Sequence, residues 1–204
     1  ILLSRSHYGF VKRLLESEIP ELSDGTVMLY SVARDAGNRS KIAVYSEYDK
    51  VDPVGAIIGE RGSRINRVLN QLNGEKIDVI EWNQDPAIYI SAALLPAQVM
   101  AVDAHEDEKF AQVIVPDDQL SLAIGKSGQN ARLAAKLTNW KIDIKSKSQF
   151  QEMLAQLQEE NPEAEENEEV NEVVEEPIAE PVEEVQEEKP KAKRTRKTTK
   201  KEVE

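Results

Sequence analysis

Apolar and polar residues alternate along this chain with two different periods. In residues 63–72 the apolar side chains recur at the i, i+3, i+4 and i+7 spacing, which places them on one face of a helix. Shorter runs rich in β-favouring residues, such as 26–33 and 110–115, predict strands. The pattern therefore predicts a mixture of helices and short strands that share a hydrophobic core. The apolar positions of the helix are Ile65, Val68, Leu69 and Leu72.

The predicted elements follow the same order twice: helix, strand, strand, helix, helix, strand. In the first copy they are a helix capped by Ser6 and ended near Pro20, strands at 26–33 and 42–45, a short helix opened by Asp52-Pro53, a helix after Gly62, and a strand at 77–82. In the second they are a helix at 86–94, strands at 98–102 and 110–115, a short helix capped by Asp117-Asp118, a helix at 129–137 and a strand at 141–145.

The join between the two copies is short. It lies around residues 83–85, where a flexible linker would be longer and richer in Gly and Ser. We therefore expect the copies to hold a fixed geometry.

A glycine loop repeats at the centre of each copy. Gly59-Glu60-Arg61-Gly62 follows one short helix, and Gly125-Lys126-Ser127-Gly128 follows the other. Each loop leads through a helix to a Lys-Ile-Asp sequence, which favours two copies of one structural unit. Glycine permits a tight turn and lets a partner approach the main chain. The amides at the start of the next helix suit a phosphate.

The net charge of −12 is unevenly distributed. Residues 1–150 hold 18 Lys and Arg against 20 Asp and Glu, whereas residues 151–188 hold 16 Glu and no Lys or Arg. Residues 189–204 are basic, with 8 Lys and Arg against 2 Glu. Only residues 1–150 have the apolar content of a core, so we predict a disordered tail, acidic and then basic.

Other chemistry is sparsely represented. There is no Cys for a disulfide or a thiolate metal site, and His7 and His105 have no partner at ligand spacing. We predict no metal site, no cofactor, no catalytic residue and no membrane partner. The sequence starts Ile-Leu-Leu without Met, and we interpret it as a fragment of a longer protein.

The order of elements and the G-x-x-G loops resemble the KH domain of bacterial topology. Longer stretches at 31–44, 52–56, 121–126 and 141–144 resemble the tandem KH portion of a family of bacterial transcription elongation, termination and antitermination factors. The resemblance implies an α+β fold with two type II KH domains (α-β-β-α-α-β) and a cytoplasmic protein. The implied domains are the end of an OB-fold barrel at 1–5, KH domains at 6–84 and 85–148, and a disordered tail at 149–204.

The resemblance implies binding of single-stranded nascent RNA. Its further partners would be RNA polymerase, contacted mainly through regions outside this sequence, and other factors of the polymerase complex. We expect bases to lie on an apolar groove that includes Ile57, Ile58 and Ile124. The predicted RNA-binding residues are Ile58, Gly59, Glu60, Arg61, Gly62, Ser63, Arg64 and Arg67 in the first copy, and Ile124, Gly125, Lys126, Ser127, Gly128, Gln129, Arg132 and Lys136 in the second.

Individual positions refine this prediction. Glu60 opposes a phosphate, so we expect the first loop to depend on backbone amides and Arg61, and the second on Lys126. For Trp82 and Trp140 we predict roles in packing.

Two alternatives remain open. A KH protein of the ribosome or of RNA decay would share the loops, and co-purification with ribosomes or polymerase would discriminate. A nucleotide-dependent enzyme would use Gly125-Lys126-Ser127 as the end of a Walker A loop. That motif needs a glycine at position 120, which is Leu, and calorimetry with ATP would test it.

Overall fold

The first half of the chain is a three-stranded sheet with helices on one face. A computed structural model describes residues 3–160. Strand β2 pairs antiparallel with β1 and parallel with β3, which gives the order β1-β2-β3. The elements are α1 (Tyr8–Glu18), α2 (Pro20–Ser23), β1 (Met28–Asp35), β2 (Arg39–Tyr45), α3 (Pro53–Ile58), α4 (Ser63–Gln71) and β3 (Lys76–Glu81).

The second half repeats this arrangement. Its sheet has the order β4-β5-β6, again with one antiparallel and one parallel pair. The predicted order of elements is confirmed in both halves. The elements are α5 (Pro86–Ala93), β4 (Ala101–His105), β5 (Phe110–Val115), α6 (Leu120–Ile124), α7 (Gln129–Thr138), β6 (Lys141–Ser146) and a further helix, α8 (Lys147–Glu160).

Helix starts follow local capping chemistry. Asp52 and Asp85 accept hydrogen bonds from the amides of Gly55 and Ala87 at the starts of α3 and α5. The prediction that Ser6 caps α1 is wrong, because His7 takes that position and its Nδ1 accepts from the Gly9 amide at 3.1 Å.

Three further details differ from the prediction. Strand β4 begins at Ala101 rather than at 98. Asp117 and Asp118 lie in a 3₁₀ turn, and Asp117 accepts from the hydroxyl and amide of Ser148 instead of capping α6. Helix α8 covers residues 149–160, where a disordered tail was expected. The part of that prediction beyond residue 160 lies outside the described residues.

Two hydrophobic clusters form the core, and one of them spans both domains. The first lies between the helices and the sheet of the first domain, with Val11, Leu15, Ile42 and Val44 completely buried. The second joins the opposite face of that sheet to α5 and α7 of the second domain. Its members include Ala33, Ala43 and Ile80 from the first domain and Tyr89, Ile90, Leu94, Leu133, Ala134 and Leu137 from the second.

A buried lysine also joins the domains. The Lys41 side chain on β2 is completely buried, and its Nζ donates to the Leu95 carbonyl at 2.8 Å and lies 3.3 Å from Asp78. Burial lowers the pKa of Lys41, and the Asp78 carboxylate opposes that shift. Asp78 also accepts two hydrogen bonds from Arg39. Both faces of the first sheet are therefore covered, and the second domain is seated on one of them.

Candidate nucleic-acid interface

The two glycine loops have the same backbone conformation. Gly59 and Gly125 have φ/ψ of 71/173° and 76/173°, a region that is almost restricted to glycine. Two residues later, Arg61 and Ser127 are left-handed at φ 51° and 52° with ψ 30° in both. Gly62 and Gly128 then start α4 and α7 from left-handed conformations. The repeat seen in the sequence is thus a repeat of one structure.

Close packing makes the first glycine of each loop necessary. A Cβ at Gly59 would lie 2.7 Å from Cγ of Arg64, and one at Gly125 would lie 2.9 Å from the backbone nitrogen of Asn130. Asn130 is buried and donates from Nδ2 to the carbonyls of Leu94 and Ala123. The loop therefore rests directly on the helix that follows it.

The N–H groups at the starts of α4 and α7 are partly satisfied within the loops, because the amides of Ser63 and Gln129 donate to the carbonyls of Glu60 and Lys126. Neither helix has a side-chain cap on its N-terminal turn. A helix start without a side-chain cap carries a partial positive charge, which attracts phosphate oxygens. In this fold both starts lie at the end of an exposed glycine loop.

The cations of the first loop differ in what they contact. Arg61 is exposed and makes no ion pair within residues 3–160. Arg64 is half-buried and donates to Glu21 at 2.7 Å and to the Ala56 carbonyl at 2.8 Å. Its hydrogen bond is the main cause of the lowered pKa of Glu21. Arg64 therefore attaches α4 to α2 and α3.

The remaining predicted residues of the first loop are at the surface. Arg67 is exposed and lies 3.4 Å from Glu18. Glu60 and Ser63 are exposed, as Arg61 is. Among the three arginines of this loop and its helix, Arg61 is therefore the one without an ion pair within residues 3–160.

The second loop has more cations without ion pairs. Lys126, Arg132 and Lys136 are exposed, and none has a carboxylate partner in the part of the chain that the structure describes. Arg132 and Lys136 lie along one side of α7. Gln129 differs, because it donates to Asp35 of the first domain at 2.7 Å. The structure thus gives Gln129 a contact between domains.

The apolar residues before the loops also divide into two groups. Ile58 and Ile124 are 37% and 39% exposed at equivalent positions. Ile57 is completely buried in the core of the first domain, so its expected place in the groove is wrong. Leu122, which was not predicted, is 44% exposed on α6.

Sequence reasoning also missed a basic cleft at the far end of α7. The cleft measures about 420 Å³ and includes Lys109 and Lys141 beside the predicted Arg132 and Lys136. Lys109 belongs to no motif, and the Lys-Ile-Asp sequence that Lys141 opens gives no sign that the two side chains share a cleft. The prediction for Trp140 agrees with its burial, since only 9% of it is exposed.

The structure was also compared with what a nucleotide-binding loop, a metal site and a membrane-spanning helix require. Helix α6 occupies the position where a Walker A motif would need its phosphate-cradling loop. No group of three His, Cys, Asp or Glu side chains suited to a metal occurs within residues 3–160. No helix among these residues is both long and apolar enough to cross a membrane.

Comparison with known proteins places both halves in one family. The family model of the NusA-like first KH domain matches residues 5–82, and that of the NusA-like second KH domain matches residues 86–152. Over 153 residues the chain is 61% identical to the transcription termination/antitermination protein NusA of Halalkalibacterium halodurans and 56% identical to that of Bacillus subtilis. These matches cover 75% of this chain but only 40% and 41% of the relatives.

A likeness to a solved structure concerns the fold alone. The crystal structure of APE1850 superposes with a TM-score of 0.50 at 23% identity, over 68% of this chain and 97% of that one.

Proposed function

Because residues 5–152 belong to the NusA family as its first and second KH domains, we propose that this chain is the RNA-binding part of a transcription elongation, termination and antitermination factor. It binds single-stranded nascent RNA and thereby modulates pausing and termination by RNA polymerase. The observation that carries the proposal is the pair of glycine loops with matching dihedral angles, each with an exposed cation.

Binding proceeds through the backbone of the RNA and through its bases. Phosphates meet the loop amides and the positive ends of α4 and α7, which lack side-chain caps, and Arg61 and Lys126 supply further charge. Bases splayed from the strand lie against Ile58 and Ile124, whose exposed area is apolar. Arg67, Arg132 and Lys136 add long-range attraction that salt screens.

The mechanism is binding rather than chemistry. RNA polymerase is the larger partner, contacted mainly by regions of the family that lie outside this sequence, and other Nus factors join the same complex. The protein makes these contacts in the cytoplasm.

The test is to place two adjacent aspartates in each glycine loop, so that each loop repels a phosphate. The quadruple variant Glu60→Asp, Arg61→Asp, Lys126→Asp, Ser127→Asp should abolish binding of an unstructured RNA, measured by fluorescence anisotropy. Positions 61 and 127 are left-handed, a conformation that Asp tolerates better than most residues. The positions are also exposed, so the thermal midpoint should change little.

A control variant separates a local effect from a change in net charge. Arg13→Glu with Lys147→Glu alters exposed cations on α1 and α8. It should weaken RNA binding only slightly. RNA binding that persists in the folded loop variant, or an equal loss in the control, would contradict the proposal.

A further inference from the structure

A cluster of aromatic side chains lies exposed where the two domains meet. The β1–β2 register shifts between Leu29 and Ser31, so Tyr30 lies in a β-bulge, a feature that redirects a side chain. The residue is 54% exposed, and its ring stacks on Trp82 with a centroid distance of 4.7 Å and an interplanar angle of 28°. Tyr30 thus presents a supported aromatic face to solvent.

Beside this face is a cleft that both domains line. It measures about 260 Å³, just below the roughly 300–1,000 Å³ typical of pockets for drug-sized ligands, so it suits a single ring system. The amide side chains of Asn83 and Gln84, in the join between the domains, supply donors and acceptors. Lys109 and Trp140 close the cleft from the second domain.

The aromatic cleft continues into the basic cleft at the end of α7. The two clefts share Lys109 and Trp140, and Nζ of Lys109 lies 5.8 Å from the centroid of the Trp140 ring. The lining of the two clefts contains more cations than carboxylates. The cations are Lys109, Arg132, Lys136 and Lys141, and the carboxylates are Glu106 and Glu108. This excess of positive charge favours a phosphate-bearing ligand over a neutral or acidic one.

Helix α7 connects these clefts to the second glycine loop. The helix begins directly after Gly128, and Arg132 and Lys136 follow on its exposed side toward the clefts. A strand whose phosphates are held at Lys126 has a line of cations to follow. At the end of this line of cations lie an aromatic face, amide groups and a further cation. Nucleic-acid-binding proteins use this combination to bind an unstacked base.

We propose that the cleft between Tyr30 and Trp140 binds one unpaired nucleobase of the RNA, at the end of a path along α7 from the second loop. The base stacks on Tyr30, its edge meets Asn83 and Gln84, and its phosphate lies near Lys109. This inference rests on the proposed function and adds a binding site outside the glycine loops.

Intrinsic fluorescence provides a direct test, because the chain has two tryptophans and both line this cleft. The full chain is titrated with an unstructured RNA of roughly twelve nucleotides, long enough for both KH units and a spacer. Anisotropy of an end-labelled RNA reports total binding, and tryptophan emission reports the cleft. Emission should be quenched with the same midpoint as the anisotropy change.

Substitutions then identify the contact. Tyr30→Ala should weaken binding about tenfold, the usual scale of one base–aromatic stack, whereas Tyr30→Phe keeps the ring and should bind like the wild type. Lys109→Asn is a second, independent variant at an exposed turn residue with φ 50°, a conformation that Asn adopts readily. It should weaken binding and lower its salt dependence. A series of RNAs with one abasic position each should lose affinity and quenching together at one place in the strand.

The outcomes separate this inference from the proposed function. RNA that binds through the loops without changing tryptophan emission, and with equal affinity for Tyr30→Ala, overturns the inference and leaves the proposed function intact. Quenching by an aromatic peptide but not by RNA would assign the cleft to a protein partner and also overturn it. Failure of the wild-type chain to bind any RNA defeats the proposed function.

Discussion

Nε2 of Gln129 donates a hydrogen bond of 2.7 Å to Oδ2 of Asp35, which lies 94 residues earlier in the chain. Gln129 is the first residue of α7, and Asp35 is the last residue of β1. The bond therefore joins the helix that follows the second loop to the edge of the first domain. Together with the contact between Lys41 and Leu95, it makes the position of the second loop depend on the first domain.

Loss of the hydrogen bond between Gln129 and Asp35 should lower the affinity for long RNAs more than the affinity for short ones. Gln129→Ala removes one hydrogen bond and should lower the free energy of unfolding by about 1 kcal/mol. Affinity should fall for RNAs that reach both loops and stay nearly constant for those that occupy one. Gln119→Ala is the matched control, because the Gln119 side chain donates to its neighbour Asp118 and makes no contact between the domains. Equal losses for short and long RNAs would show that the bond does not position the loop.

The two KH units should act as one continuous RNA track. Each unit clamps about four nucleotides, so affinity should rise steeply once the RNA reaches roughly eight nucleotides plus a spacer, and then flatten. The reason is the high effective concentration of the second site once the first is filled. The measurement is a length series of unstructured RNAs with the wild type and with Arg61→Asp or Lys126→Asp alone. A smooth rise that survives either single substitution would mean independent sites.

Duplex RNA should bind poorly, because its paired bases cannot reach Ile58 and Ile124.

The two glycines of each loop should differ in their tolerance of a side chain. Gly125→Ala places a Cβ 2.9 Å from the backbone of Asn130 in a conformation nearly restricted to glycine, so we expect a loss of about 3 kcal/mol in stability. Gly128→Ala meets nothing within 4 Å and adopts only a left-handed conformation, which costs about 1–2 kcal/mol. Urea denaturation of both variants gives the comparison. Equal effects would contradict the packing argument.

The Glu75 carboxylate should make stability depend on acid pH. Burial opposes its ionisation, but hydrogen bonds from Arg34, Ser40 and Gly37 outweigh burial, and the pKa of Glu75 lies below its ordinary value of 4.5. The unfolded chain therefore binds this proton more readily than the folded one. Stability from Glu75 is fully present above about pH 4.5 and is lost as pH falls through the lower folded pKa.

Glu75→Gln tests this assignment. The substitution leaves the buried Arg34 guanidinium without its carboxylate and should cost about 3–5 kcal/mol at neutral pH. The variant should also lose part of the acid dependence of the unfolding free energy. Glu47→Gln, at an exposed position, is the control. An unchanged slope between pH 5 and 3 would assign the acid sensitivity to other groups.

The acidic tail should compete with RNA at low salt. Residues 163–188 hold 13 Glu and no Lys or Arg, and this charge is attracted to the same cations as RNA. Removing residues 163–204 keeps α8 intact and should tighten RNA binding modestly at low ionic strength. The effect should fade near 0.1 M salt, where the Debye length is about 10 Å. The basic residues 189–201 oppose this effect by adding nonspecific affinity. Equal RNA affinities of the full and the shortened chain at low salt would show that neither the acidic nor the basic part of the tail affects binding.

Local chemistry made much of this protein predictable from its sequence alone. The repeated glycine loops, the helix-opening Asp52 and the helical spacing of apolar residues act over a few residues, so their signals are contiguous. The order of elements and both loops follow from such signals. Errors at the ends of β4 and α1 concern boundaries, where a neighbouring side chain such as His7 decides the outcome.

Only the tertiary structure decided which residues of the two domains meet. The seating of the second domain on the first sheet buries Lys41 and Ile80, joins Gln129 to Asp35 and leaves Tyr30 exposed beside Trp140. Arg64 likewise changes from an apparent loop cation to a partner of Glu21. These pairs are separated by dozens of residues, and their energy depends on packing and desolvation at contact. No local pattern encodes such contacts, because the same exposed face could be polar surface or interface until its partner is placed against it.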